Sequence, residues 1–381
     1  MIVLIGTIEP RVSIVKNLCI QLILVYRLCL YMIDFILRLR IRLKMTVRDL
    51  RSKAQTEYKE QNILLVHRIM WRNNSMKKKI KVGIPRAFLY YRYYILWKNF
   101  FEMIGCNIVL SPNTDSDIVK VGNSLSVDES CLPSKIYLGH ISYLSDKCDY
   151  ILVPRIYSYG RKKRVCVKFN GIYDVVNNLF SNIKILDYNI DNLKFRYELF
   201  GFVKMGLRLN KNIFRIIYAY IVGSIRQYKY NKTLILKQNK IMRSNRLKIL
   251  IVSHPYIVYD KYLSSNIINY LKDEDIDLLY SDRMNRKEAI YYAEEEFNTL
   301  YFLYSKENVG SAFYYKDVVD GIIFLSAFPC GTDSLVNELA IRKLKNIPCI
   351  NIILDDSTST LGLYTRLESF VDIIKVRHDN G

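Results

Sequence analysis

The chain has 381 residues, half of them apolar, and a mean hydropathy near zero, which is ample for a buried core and points to two domains. Its formal charge is +21, yet residues 1–75 alone hold 13 Lys/Arg against 5 Asp/Glu, so the surplus over the remainder is thin. The densest basic run is Arg161-Lys162-Lys163-Arg164, and no ribonucleoprotein-type or helix-turn-helix pattern frames the aromatics, so no nucleic-acid partner is expected.

Residues 13–37 are strongly apolar but carry Lys16, Arg27 and Asp34. A charge near mid-span costs about 2.5–3.5 kcal/mol on insertion, which argues against a membrane span. Arg38, Arg40, Arg42 and Lys44 would suit an interfacial helix. Met76-Lys77-Lys78-Lys79 runs straight into a strand, as a natural start would. The preferred reading of 1–75 is an upstream extension, then a surface helix, and last a membrane span.

From Lys79 the pattern alternates. Strands are expected at 79–84, 107–110, 149–154 and 183–187, with helices at 89–104, 115–122, 133–145 and 170–180 between them. Residues 189–245 are periodic and free of Pro, which predicts a helical connector. A second unit follows, with strands at 247–252, 276–280, 321–325 and 349–354 and helices at 262–271, 287–298, 334–345 and 361–374. The expected architecture is α/β: two Rossmann-like parallel-sheet domains, 76–188 and 246–381, around a cleft and joined by the connector 189–245.

Eight cysteines without CxxC or Cys/His finger spacing, and no cleavable signal, favour a reducing cytoplasm and exclude an ordinary zinc finger. Three of them sit in loop-like contexts: Cys131 before Leu132-Pro133, Cys166 before Val167-Lys168-Phe169, and Cys330 before Gly331-Thr332-Asp333-Ser334. Three thiolates can hold a [4Fe–4S] cluster and leave one iron open. Read alone, each is equally a small buried residue. Cys106, Cys148 and Cys349 abut apolar strands and read as core. His254 follows a strand and precedes Pro255, where sheet ligands bind, and His140 falls inside a helix. Arg86 and Arg155 each sit beside a Pro at a strand end and would face an anion or an interdomain carboxylate. Asp128 and Glu129 would cap a helix or pair with those arginines, and Asp333 with Ser334 reads as a helix cap. GxxxxGK[ST] and GxGxxG are both absent, so neither ATP hydrolysis nor nicotinamide chemistry has support.

Several motifs stand in one order: Lys81-Val82-Gly83-Ile84-Pro85-Arg86-Ala87, Asp128-Glu129-Ser130-Cys131-Leu132-Pro133, Val153-Pro154-Arg155, Ser253-His254-Pro255-Tyr256 and Cys330-Gly331-Thr332-Asp333-Ser334. Together with Tyr259-Asp260 and Thr365-Arg366-Leu367-Glu368 they resemble the 2-hydroxyglutaryl-CoA dehydratase-like family, in its CoA-substrate-specific enzyme activase-related branch, over roughly residues 77–375. The resemblance implies a [4Fe–4S] cluster between Rossmann-like domains, held by Cys131, Cys166 and Cys330, with Arg86, Arg155 and His254 as candidate cofactor-binding residues. It also implies an ATP-dependent activator protein as electron donor, an acyl-CoA or other small substrate, and a second dehydratase-like subunit as partners.

Two departures stand out. The acidic pair Asp355-Asp356 is followed by Ser357-Thr358-Ser359-Thr360, where relatives carry a ring or amide residue and a later Glu. Val167 replaces the proline that follows the matching cysteine. The leading expectation is an anaerobic, cytoplasmic iron–sulfur electron-transfer protein, of radical dehydratase or reductase type if it is an enzyme. The alternatives are a non-catalytic scaffold of such a complex and, last, a basic nucleic-acid or membrane-surface binder.

Overall fold

The computed structural model describes residues 79–356 and 360–379, so the expectations for 1–75 and for Ser357–Ser359 lie outside the described residues. Residues 77–381 belong to one compact unit. Its first half alternates β1 (Lys81–Ile84), α1 (Tyr90–Met103), β2 (Asn107–Leu110), α2 (Ser116–Ser124), α3 (Leu132–Leu144), β3 (Tyr150–Leu152), β4 (Arg155–Ser158), α4 (Lys168–Leu179), β5 (Ile185–Leu186) and β6 (Asn189–Asp191). Helices α5 (Glu198–Leu207) and α6 (Ile213–Ile241) lead to the second half. There β7 (Lys248–Val252), α7 (Pro255–Val258), α8 (Lys261–Asp273), β8 (Asp277–Tyr280), α9 (Arg286–Glu296) and α10 (Leu303–Tyr315) are followed by β9 (Gly321–Ala327), α11 (Gly331–Lys343), β10 (Cys349–Leu354) and α12 (Thr360–Asp379).

Each half holds a four-stranded parallel sheet, ordered β2-β1-β3-β5 and β8-β7-β9-β10. Numbered within its own half, each sheet runs second, first, third, fourth. The two halves therefore share one topology, whose switch point falls between the first and third strands, where α/β folds take their ligands. In the second half that crevice opens beyond β7 and β9, the strands that lead into His254 and Cys330. All seven residues of β9 are buried, as a sheet covered on both faces requires.

The connector differs from the periodic reading of 189–245. Asn189–Asp191 is a strand paired parallel to β4, because Val153-Pro154 interrupts β3 without ending the pairing: Val153 N–H donates to Leu186 O at 2.8 Å and Arg155 N–H to Tyr188 O at 2.9 Å. Strand partners outweigh local helical preference there. Helix α6 starts where the Asn212 side chain accepts from Arg215 N–H, and it braces both halves. Gln227 accepts from Leu96 N–H at 3.1 Å, and Gln238 exchanges bonds with the Tyr280 backbone at 2.8 and 3.1 Å.

Helix α10 goes unseen in the sequence reading, although all but one of its residues are buried. Its run Ser305-Lys306-Glu307-Asn308 reads as a polar loop. It is buried because every charge in it is paired: Lys306 with Glu294 at 2.7 Å, and Glu307 with Arg92 and Arg286 at 2.8 and 2.6 Å.

Candidate functional site

The three loop cysteines come to the N-termini of three helices. Cys131 is the N-cap residue of α3, with Pro133 in its first turn, and Cys330 is the N-cap residue of α11. Cys166 stands one residue before Val167, the N-cap residue of α4. No side chain caps α3 or α11, and at α3 the first N–H groups are taken by backbone, Leu132 N–H by Phe328 O at 2.9 Å and Ser134 N–H by Cys131 O at 2.8 Å. Lys168 N–H reaches the Cys166 sulfur and Asp333 N–H the Cys330 sulfur, while Cys131 Sγ lies 3.6 Å from Ser134 Oγ.

These thiols converge. Leu132 N–H donates to Phe328 O at 2.9 Å, tying the start of α3 to the turn that carries Cys330. Leu303 N–H donates to Arg164 O at 2.7 Å, drawing the loop before Cys166 onto α10. Cys131 lies within electrostatic reach of both Cys166 and Cys330, and all three thiols together with Asp333 lie within such reach of the buried Tyr256 phenol. Burial first, then Asp333 and the thiols, holds that phenol well above its ordinary range, so it stays protonated. Burial also raises the thiols of Cys166 and Cys330, with Asp333 adding to the rise at Cys330. Both are neutral unless a cation takes the proton's place.

Beside the thiols, His254 stacks on Tyr256 with ring centroids 5.0 Å apart. Its Nε2 lies 3.1 Å from Asp333 Oδ1 and its Nδ1 3.5 Å from Asn308 Nδ2. Burial works against the Asp333 carboxylate, but the His254 charge and hydrogen bond outweigh it and hold the group below the usual range. This corrects the reading of Asp333 as a cap: α11 already begins at Gly331, and Asp333 is a buried partner of His254 in its first turn. Phe169 packs against Tyr256 and Tyr304 at 6.0 and 5.6 Å, closing the site on the α4 side.

The other candidates lead elsewhere. Arg86 donates to Ser111 O and Asn113 Oδ1 at 3.2 and 2.9 Å, and Arg155 pairs with Asp174 at 3.0 Å over the Tyr173 ring. Asp128 and Glu129 are exposed, and no side chain caps α3. Cys106 is buried in the core, while Cys148 and Cys349 are partly buried at strand starts, each with a thiol raised by burial to between about 11 and 12. His140 is fully buried and serves structure: its Nε2 bonds Thr114 Oγ1 at 3.1 Å, and that hydroxyl donates to Asp260.

The sequence reading gave no role to Tyr256, the hub of the site, nor to Asn308. Tyr256 could have been found from its place beside His254 at a strand end, whereas Asn308 carries no local signal.

Residues 81–284, more than half of the chain, match the model of the CoA enzyme activase uncharacterised domain (DUF2229). The chain belongs to that family. The activase domain so matched includes Cys131, Cys166 and His254, while α10, Cys330 and Asp333 lie beyond it. This agrees with the activase-related branch expected from the motifs. No curated protein matches the chain. Among solved structures, the activase-domain chain is similar to the SBP FpvC from P. aeruginosa in complex with Ni2+, at 9% identity and a TM-score of 0.25 over 80% of this chain and 98% of that one. It is similar also to the laminin-binding protein Lbp of Streptococcus pyogenes, at 8% identity and a TM-score of 0.22 over 78% of this chain and 99% of that one.

Among the described residues no group of three His, Cys, Asp or Glu side chains is drawn close enough to hold a metal ion. A single ion therefore has no ready site. A cubane spreads its thiolates wider than one ion does, and the donor set here, three thiols at or beside helix N-termini, has the chemistry such a cluster takes. Among the described residues no helix is long and apolar enough to cross a membrane.

Proposed function

We propose that this activase-family chain is an iron–sulfur redox protein in which Cys131, Cys166 and Cys330 hold a [4Fe–4S] cluster at three corners. The observation that carries the reading is the convergence of three thiols, each at or beside a helix N-terminus, on one buried phenol. When bound, such a cluster supplies one-electron chemistry at low potential and, at its fourth iron, an open ligand position.

The chain's own residues prepare for that charge. Three helix dipoles and the amides of Lys168 and Asp333 work against the burial that raises the thiols, and so lessen the cost of a thiolate there. Tyr256 stays protonated, so its hydroxyl is a donor. The His254–Asp333 pair fixes the imidazole by one nitrogen and Asn308 holds the other, which keeps the ring in the crevice at the end of β7. Phe169, Tyr256 and Tyr304 keep water from that side.

In this reading a separate ATP-dependent activator supplies the electron, since the chain carries no phosphate-binding loop of its own. An acyl-CoA or similar thioester, or a second dehydratase-like subunit, receives it. Anaerobic reconstitution with iron and sulfide tests the proposal. Binding of about four irons with thiolate-to-iron absorption supports it. A colourless protein that takes up no iron overturns it.

A further inference from the structure

A second cleft lies apart from the thiols. It encloses about 860 Å³, within the roughly 300–1,000 Å³ of small-molecule sites, and its walls are α1, α6 and the loop that follows β8. Tyrosines such as Tyr91, Tyr228 and Tyr259 line it, offering flat apolar faces with hydroxyls at their rims. Its floor is charged. Glu307 of α10 bridges Arg92 at 2.8 Å and Arg286 at 2.6 Å, so two guanidiniums share one carboxylate.

Asp282 does not make up the missing negative charge. It accepts from the Tyr259 hydroxyl at 2.7 Å, and Arg283, whose Nε donates to that same hydroxyl at 3.0 Å, balances it. Glu288 and Lys232, also on the lining, offset each other. Among the charged side chains that line the cleft, one positive charge is left over. Arg92 Nε is buried with no hydrogen-bond partner among the described residues. An unbalanced, half-satisfied cation beside a cavity is costly unless an anion completes it.

We infer that the tyrosine-walled cleft binds a small organic carboxylate, its head group on Arg92 and Arg286 and its body against the tyrosine rings. A single negative charge matches the single surplus, and the planar carboxylate matches the guanidinium fork. A phosphate monoester would overshoot, carrying about 1.5 to 2 negative charges. The inference stands independently of the cluster. The two sites are nonetheless neighbours: the Tyr304 ring lies 4.0 Å from the Arg92 guanidinium on one side and 5.6 Å from Phe169 on the other.

The test is titration calorimetry on the full-length, iron-free protein with benzoate, phenylacetate and hexanoate. Benzyl alcohol and phenyl phosphate serve as the neutral and dianionic comparisons. At least one carboxylate should bind saturably, and at least about tenfold more tightly than benzyl alcohol, as expected for a charge-assisted contact. Arg286→Gln, at a half-exposed side chain, should weaken that binding about tenfold or more, measured on protein whose circular dichroism matches the parent's at the assay temperature. Cys131→Ser should leave it intact, which separates this outcome from the iron result. No carboxylate binding, equal binding of benzyl alcohol, tighter binding of phenyl phosphate, or indifference to Arg286→Gln would each overturn the inference.

Discussion

The backbone N–H of Leu132 donates to the carbonyl of Phe328 at 2.9 Å, joining the first turn of α3 in one half of the fold to the turn after β9 in the other. The residues that flank this bond, Cys131 and Cys330, are thereby neighbours although 199 positions separate them in the chain. Any ligand held by both thiols also ties the halves together.

Replacing Cys131 or Cys330 with Ser is accordingly expected to abolish or sharply reduce iron uptake on reconstitution, since two thiolates hold a cubane poorly. Cys166→Ser should behave in the same way. Cys106→Ser, Cys148→Ser and Cys349→Ser should keep their iron, because those thiols sit at strand starts and in the core, each raised by burial. Iron and sulfide content per chain decides between the two sets. Loss in the second set and retention in the first would refute the assignment.

Glu307→Gln should destabilise the fold strongly. It leaves Arg92 and Arg286 without their shared anion in a site where the Glu307 side chain is 7% exposed. Breaking a buried pair from one side costs about 3–5 kcal/mol. Denaturant unfolding followed by circular dichroism reads the shift in midpoint, and a variant as stable as the parent would show that the triad is not buried in solution.

Stability should fall as pH drops from about 6.5 to about 4. Burial lowers the His140 pKa to about 4, so between these values the unfolded chain binds a proton that the folded chain refuses. The linked loss is on the order of 1.4 kcal/mol per pH unit over that window. Thr114 already donates to Asp260, so it must accept from His140 Nε2–H, and a proton on the opposite nitrogen would meet no partner. His140→Gln, neutral throughout, should flatten this part of the profile. An unchanged slope would refute it.

Gly139→Ala should be poorly tolerated. An added Cβ would stand 2.1 Å from the Ile118 carbonyl oxygen, and the obstacle is backbone that cannot rotate aside. Helices α2 and α3 would have to separate, at or above the upper end of the roughly 1–3 kcal/mol typical of overpacking. A melting temperature within error of the parent would show that the helices are farther apart than this.

Much of the secondary structure was legible in the residues. Short apolar runs ended by Pro, Gly or Asn marked the strands of both sheets, and Pro133 marked the helix start behind Cys131, while the helix behind Cys330 was expected from Ser334 and begins at Gly331. Such signals are local, carried by the backbone preferences of neighbouring residues. Helix α10 escaped because its polarity is answered only by Arg92, Arg286 and Glu294, which lie elsewhere in the chain. Strand β6 escaped for the same reason, since what makes Asn189–Asp191 extended is β4 beside it.

By itself the sequence determined an alternating α/β chain with three cysteines poised near helix ends, because hydrophobic period, proline and glycine act over a few residues. Tertiary structure alone decided that those helix ends meet, that Tyr256 and the His254–Asp333 pair stand among them, and that Arg86 and Arg155 are held elsewhere. Strand order and the burial of charge depend on partners distant in the chain, and no local pattern records which partner folding will bring.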